Sequence, residues 1–121
     1  MQVNQDGLLL RVFIGESDRF EGKPLYESIV QRARELGMAG ATVFRGIEGF
    51  GKTSVVHKAR LLELSSDLPV VIEIVDREDR INSLLPHLDK MLSGGLATLE
   101  PVRVLIYRDG PTNTSGHAAK S

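Results

Sequence analysis

Apolar residues along this chain fall into four short runs and two longer segments of helical period. Leu8-Leu9-Leu10-Arg11-Val12-Phe13-Ile14 is a short apolar run that stops at Gly15 and predicts a strand. A polar loop, Glu16 to Gly22, follows. Pro24 stands where a helix can begin, with Glu27 in its first turn. Leu25, Tyr26, Ile29, Val30, Ala33 and Leu36 recur at helical spacing, and Gly37 supplies the stop. The prediction is an amphipathic helix of roughly four turns. Gly40 opens a second strand, Ala41 to Arg45, which feeds a glycine-rich stretch. Between Ser54 and Leu64 neither period is clean. Ala59 to Leu64 reads as a short extended return and Ser65-Ser66-Asp67 as a turn. Pro69 then starts the strongest strand, Val70 to Val75. Asp76 is placed as an N-cap, with Glu78 and Asp79 in the following turn. Ile81, Leu84, Leu85, Leu88, Met91 and Leu92 predict a second helix that ends at Gly94-Gly95, and Pro86 inside it is expected to kink or split it. Thr98 to Tyr107 predicts a last strand, with Val102, Val104 and Ile106 on one face.

The order is strand, helix, strand, glycine loop, strand, helix, strand. It predicts an α+β fold, a ferredoxin-like βαββαβ sandwich whose antiparallel sheet carries two helices on one face. The domain is expected over residues 8–108, with a flexible N-terminus at 1–7 and a disordered tail at 109–121. Alternation sends Leu8, Leu10, Val12, Ile14, Val70, Ile72 and Ile74 toward the helices, together with Val102, Val104 and Ile106. The opposite face then carries Leu9, Arg11, Phe13, Thr42, Phe44, Val71, Glu73, Val75, Arg103, Leu105 and Tyr107. An open sheet face in a monomer is mainly polar, whereas this one is largely apolar, so it is expected to pack against copies of itself. Arg11, Arg103 and Glu73 are expected to pair across or near that seam.

Composition narrows the chemistry. The 121 residues suit one domain, and a net charge of −1 leaves no electrostatic footprint for nucleic acid. There is no cysteine, so thiol catalysis, disulfides and cysteine metal sites are excluded. No apolar run approaches the ~18 residues of a membrane span, and Met1 to Asp6 carry no signal-sequence pattern, so a cytoplasmic location with no membrane insertion is expected. His57, His87 and His117 stand far apart with no metal-ligand spacing, and no serine–histidine–acid set is readable. His87 reads as a surface residue. Glu16, Asp18 and Glu21 read as a solvated acidic loop rather than an acid/base pair.

Gly46 to Thr53 matches the phosphate-cradling pattern G-x-x-x-x-G-K-[ST]. One reading is a nucleotide hydrolase with Lys52 on phosphates, Thr53 on magnesium and Asp76 as the magnesium-holding acid. That chemistry belongs on a doubly wound sheet, with the loop opening a long helix. Here only two clear helices are predicted, and the residues after Thr53 lack helical period. The favoured reading is non-enzymatic. Glycines let backbone N–H groups converge on an anion, and Arg45 and Lys52 add positive charge without hydrolysis. A third reading is a structural trimer without a ligand.

The residues carry a family resemblance. Phe13-Ile14-Gly15-Glu16-Ser17, Gly22-Lys23-Pro24-Leu25-Tyr26-Glu27, Ala39 to Gly46 with Gly49-Phe50-Gly51, and Leu68-Pro69 to Asp76 resemble the PII-like family called domain of unknown function 190. More distantly they are similar to PII nitrogen-regulatory signalling proteins. The resemblance implies a homotrimer with its sheets inward and a mobile, partner-reading T-loop, here residues 46–67. It implies an adenine nucleotide effector (ATP, ADP, AMP or cyclic AMP) in clefts between subunits. The partner would be a membrane transporter, a channel or an enzyme. Arg45, Gly46, Gly49, Phe50, Gly51 and Lys52 form the candidate ligand set. Gly94 and Gly95 fall near the second ligand loop of PII. The chain departs from PII in a shorter loop without a clear tyrosine, in Leu96-Ala97-Thr98-Leu99 where a basic residue is expected, and in lacking a basic C-terminal segment.

Overall fold

The computed structural model describes residues 5–51, 57–58 and 67–110. In chain order the elements are β1 (Gln5–Gly15), β2 (Arg19–Phe20), β3 (Lys23–Pro24), α1 (Leu25–Glu35), β4 (Thr42–Arg45), β5 (Glu48–Gly49), β6 (His57–Lys58), β7 (Pro69–Asp76), α2 (Glu78–Met91) and β8 (Leu96–Val104). The strands β4-β7-β1-β8 form one antiparallel sheet in that order. With two helices on one face, this is the ferredoxin-like arrangement.

Register builds the core. Leu10 lies opposite Ile74, Val12 opposite Ile72 and Ile14 opposite Val70. Directly opposed residues share a sheet face, so these six form one apolar stripe across the two central strands. α1 lays Leu25, Ile29 and Ala33 on the stripe, and α2 lays Ile81, Leu84, Leu88 and Met91. Full burial of each large side chain is worth about 1.5–3 kcal/mol, which holds the helices to this face. Among the described residues, no helix is long and apolar enough to cross a membrane.

The helix ends differ from the sequence-based expectation. α1 has 11 residues, about three turns rather than four. Leu36 is its C-cap, and Gly37 takes φ +79°. The Met38 N–H donates to the Ala33 carbonyl at 3.1 Å and the Gly37 N–H to that of Arg34 at 3.0 Å, the paired bonds of a Schellman stop. Asp76 is not the N-cap of α2. Pairing with Leu8 keeps it in β7, and Arg77 takes the cap position without a side-chain bond. The buried Asp76 carboxylate instead accepts from the Ala39 N–H (2.8 Å) and the Arg77 N–H (2.7 Å), tying the α1–β4 connection to the start of α2. Arg80 reaches the same connection through the Gly37 carbonyl. Pro86 does not split α2, which runs unbroken through it. The proline and Asn82, whose carbonyl loses its bond, both lie on the exposed side, where that carbonyl faces solvent.

The strands bring further corrections. β1 begins at Gln5, inside the segment 1–7 expected to be flexible, because Gln5, Asp6 and Gly7 pair with Val104, Arg103 and Val102. β8 runs two residues ahead of the predicted strand, and its faces are inverted. Leu99 lies opposite Leu10 and Ala97 opposite Val12, so those two, with Pro101 and Arg103, share the helix side. Leu96, Thr98, Glu100, Val102 and Val104 share the bare side. Leu105, Ile106 and Tyr107 lie beyond the strand. The valines misled the alternation because β8 is an edge strand, exposed over most of its length rather than buried under the helices. The loop expected from Glu16 to Gly22 also holds a two-residue hairpin. Glu21 (φ 50°) and Gly22 (φ 81°) turn β2 onto β3 with both residues left-handed. The tail from residue 111 and the expected return Ala59–Leu64 lie outside the described residues.

Candidate functional site

β1 and β4 end, and β7 and β8 begin, at the same edge of the sheet. That edge gathers Gly15, Arg45, Gly46, Pro69 and Gly95. Gly46 and Gly49 stand on the flank of β4, and Gly94 and Gly95 stand on the flank of β8. Three inter-strand steps separate these flanks, about 14 Å at ordinary strand spacing. The two glycine pairs thus approach that edge from its opposite flanks.

The glycine loop packs closely on the sheet edge. The Gly46 N–H donates to the Pro69 carbonyl at 2.7 Å. A Cβ at Gly46 would stand 2.8 Å from Pro69 Cγ, and one at Gly49 3.0 Å from the same atom. A side chain at Gly46 would force a shift against the proline ring, and one at Gly49 would crowd the same ring, before any ligand is considered. β5 then pairs with β6, with Glu48 opposite Lys58 and Gly49 opposite His57. The chain is back beside Gly49 by His57, which leaves no room for the long helix that a nucleotidase phosphate loop opens. Phe50 is 73% exposed and Ile47 77% exposed, so the root of the loop presents apolar side chains outward. Lys52 and Thr53 lie outside the described residues.

Both roots of the loop are tied to the turn after β1. At the first root, Arg45 Nη2 lies 2.6 Å from Glu16 Oε2, with side-chain exposures of 62% and 19%. At the second, the Glu16 N–H donates to the Leu68 carbonyl at 2.8 Å. Asp67 Oδ1 there accepts from the Ser17 hydroxyl (2.7 Å) and N–H (3.2 Å). Asp18 closes the turn by accepting from the Gly15 N–H at 2.9 Å, and its carbonyl accepts from Leu25 at the start of α1. Glu16 is thus an ion-pair partner, not the solvated acid that the sequence suggests. Sequence reading missed the roles of Glu16, Ser17 and Asp67, because Glu16 and Arg45 are 29 positions apart with no motif linking them.

Other sequence candidates fall elsewhere. His87 lies part-buried between the helices, with Nδ1 3.3 Å from Arg32 Nη1. A groove of about 470 Å³ runs beside the β2–β3 hairpin and α1, lined by Glu21, Lys23, Glu27, Arg32, Glu35 and others. None of the described residues of the glycine loop borders it. The bare sheet face is apolar as expected, with Phe44 50% exposed and Phe13, Val75 and Leu96 also open. Arg11 and Glu73 pair as expected, but Arg103 does not share their face. Arg11 pairs within the protomer, to Glu73 at 2.9 Å and to Glu100 at 2.6 Å, while Arg103 lies on the other side of the sheet. The Glu73 hydrogen bond, helped by the charge of Glu100, raises the Arg11 guanidinium above its usual value.

This sheet, its loop on the β4 flank and its bare apolar face define a PII-like architecture. The chain belongs to the DUF190 family, described as "Uncharacterized ACR, COG1993", whose family model matches residues 7–104. A UPF0166 protein of Aquifex aeolicus is 50% identical over 97 residues, 80% of this chain and 91% of that one. A UPF0166 protein of Methanocaldococcus jannaschii is 39% identical over 84 residues, 69% and 77% of the two chains. Among solved structures the fold is similar to CPII from Thiomonas intermedia K12, a nitrogen regulatory PII-like protein bound to ADP, AMP and bicarbonate. That match has a TM-score of 0.66 at 14% identity and covers 84% of this chain and 91% of CPII.

Proposed function

We propose that this protein is a non-enzymatic PII-like regulator. It assembles as a homotrimer through the bare sheet face, binds an adenine nucleotide between subunits and signals to a partner protein through residues 46–67. One observation carries the reading. Two glycine pairs stand on opposite flanks of one sheet edge, so a β4 flank of one protomer facing a β8 flank of the next makes a cleft that neither makes alone. Burial of the exposed apolar face supplies the driving force for that meeting. The ADP and AMP bound by the similarly folded CPII support the nucleotide class. Gly49 to Lys52 and Arg45 would meet the phosphates from one side, and Gly94 and Gly95 the ligand from the other. A ligand touching the loop in only one of its states shifts the loop toward that state, which is the signal.

A structural trimer without a ligand draws support from Pro69, whose ring closes on Gly46 and crowds Gly49. One set of measurements separates the readings. Calorimetry with ATP, ADP, AMP and cyclic AMP is run on the purified protein and on Lys52→Ala, beside light scattering and a phosphate-release assay. The regulator reading expects a trimer mass, binding of at least one nucleotide, weaker binding by Lys52→Ala and no turnover. A monomer, or no binding by any of the four, defeats it. Turnover abolished by Lys52→Ala would revive the hydrolase.

A further inference from the structure

Arg45 is the charged side chain at the first root of the loop, and a carboxylate of the protein itself already lies on it. Arg45 Nη2 and Glu16 Oε2 are 2.6 Å apart, at the distance a phosphate oxygen would take. Glu16 belongs to a turn whose other carboxylates are engaged differently. Asp18 accepts from the Gly15 N–H and Asp67 from Ser17. The Glu16 backbone is separately fixed, its N–H bonded to the Leu68 carbonyl at the second root. Its side chain can therefore leave Arg45 without undoing the turn. Arg45 is the more open member of the pair, at 62% exposure against 19% for Glu16, so an incoming anion reaches the guanidinium from the solvent side.

We infer that Glu16 is a built-in competitor for the anion subsite at Arg45, and that a bound phosphate group takes its place. The inference rests on the nucleotide reading above and adds a specificity-setting residue to it. Two physical consequences follow. A ligand with more negative charge at this position displaces Glu16 more readily, so the pair discriminates among nucleotides by phosphate number rather than by base. Displacement also removes a charged tie between the turn after β1 and the first root of the loop, while the Gly46 N–H bond to the Pro69 carbonyl keeps that root on the sheet.

The test is a double-mutant cycle read by calorimetry with ATP and AMP. Glu16→Gln keeps the side chain's size and the backbone bond but removes the charge. An exposed ion pair is worth up to about 1 kcal/mol, so Glu16→Gln is expected to tighten ATP binding by roughly 5-fold, and AMP by less. In the Arg45→Ala background, which binds ATP more weakly than wild type, the same substitution should have no effect. Thermal melting of each variant checks that the fold is kept, and Glu16→Ala repeats the comparison should the glutamine variant melt early. Unchanged or weaker ATP binding by Glu16→Gln overturns the competitor role. So does a tightening that persists without Arg45, since that would be a general charge effect. Failure of wild type to bind any nucleotide instead overturns the nucleotide reading, and the two failures are told apart by the wild-type titration.

Discussion

Gly94 and Gly95 are adjacent, yet they should respond very differently to the same substitution. Gly95 holds φ +103°, and a Cβ there would lie 2.6 Å from the Phe13 carbonyl oxygen and 3.1 Å from Ile14 Cγ2. Alanine pays twice at such a position. A left-handed backbone costs an L-residue about 1–2 kcal/mol. Forcing a methyl against a backbone oxygen that belongs to β1 costs a further 1–3 kcal/mol or so, because a strand in mid-sheet has little freedom to retreat. Gly95→Ala is therefore expected to lose about 2–5 kcal/mol, a large share of the roughly 5–15 kcal/mol that holds a typical domain. At Gly94 nothing lies within 4 Å of the added methyl, and its φ is outside the left-handed range. Gly94→Ala should change stability by no more than about 0.5 kcal/mol. The measurement is urea unfolding followed by circular dichroism, at one fixed protein concentration because subunit association shifts apparent stability. Equal loss in both variants, or a larger loss in Gly94→Ala, would refute the assignment of Gly95 as the structural glycine. With that settled, any effect of Gly94→Ala on nucleotide binding reads directly on the ligand.

Three further outcomes are expected. Asp76→Ala strips the buried acceptor from the Ala39 and Arg77 N–H groups, and loses about 1–3 kcal/mol in the same unfolding assay. Arg11→Met leaves Glu73 and Glu100 without their cation in the middle of the bare face, so light scattering should show the proposed trimer falling to smaller species while the chain stays folded. The Arg77 hydrogen bond lowers the Asp79 carboxyl below its ordinary value of 3.8. Because the folded state holds the proton less tightly, the stabilisation is present above that value and is lost as pH falls through the lowered one. An NMR titration should find the Asp79 midpoint below 3.8 and Arg77→Gln should move it back up, whereas an unshifted midpoint would contradict the contact.

What was legible from the chain alone was whatever burial writes into local spacing. Leu10, Val12, Ile14, Val70, Ile72 and Ile74 alternate because one face of two central strands is sealed by helices, and Ile29, Ala33, Ile81, Leu84 and Leu88 recur at helical period because one stripe of each helix does the sealing. Those two periods in that order were enough for the ferredoxin-like topology, and the glycine and proline wording was enough for the family. Tertiary structure alone decided the rest, because it depends on partners distant in sequence. The parity of β8 follows from its register against β1, and an edge strand exposed on both sides writes no alternation to read. Asp76 looks like a cap until its pairing with Leu8 keeps it in the strand. Gly46 and Gly49 look like a phosphate cradle until Pro69, some 20 positions on, is seen against them. Glu16 looks solvated until the sheet brings the ends of β1 and β4 to one edge and sets it on Arg45. Spacing records which side of an element is buried, but only the assembled sheet determines which ends meet.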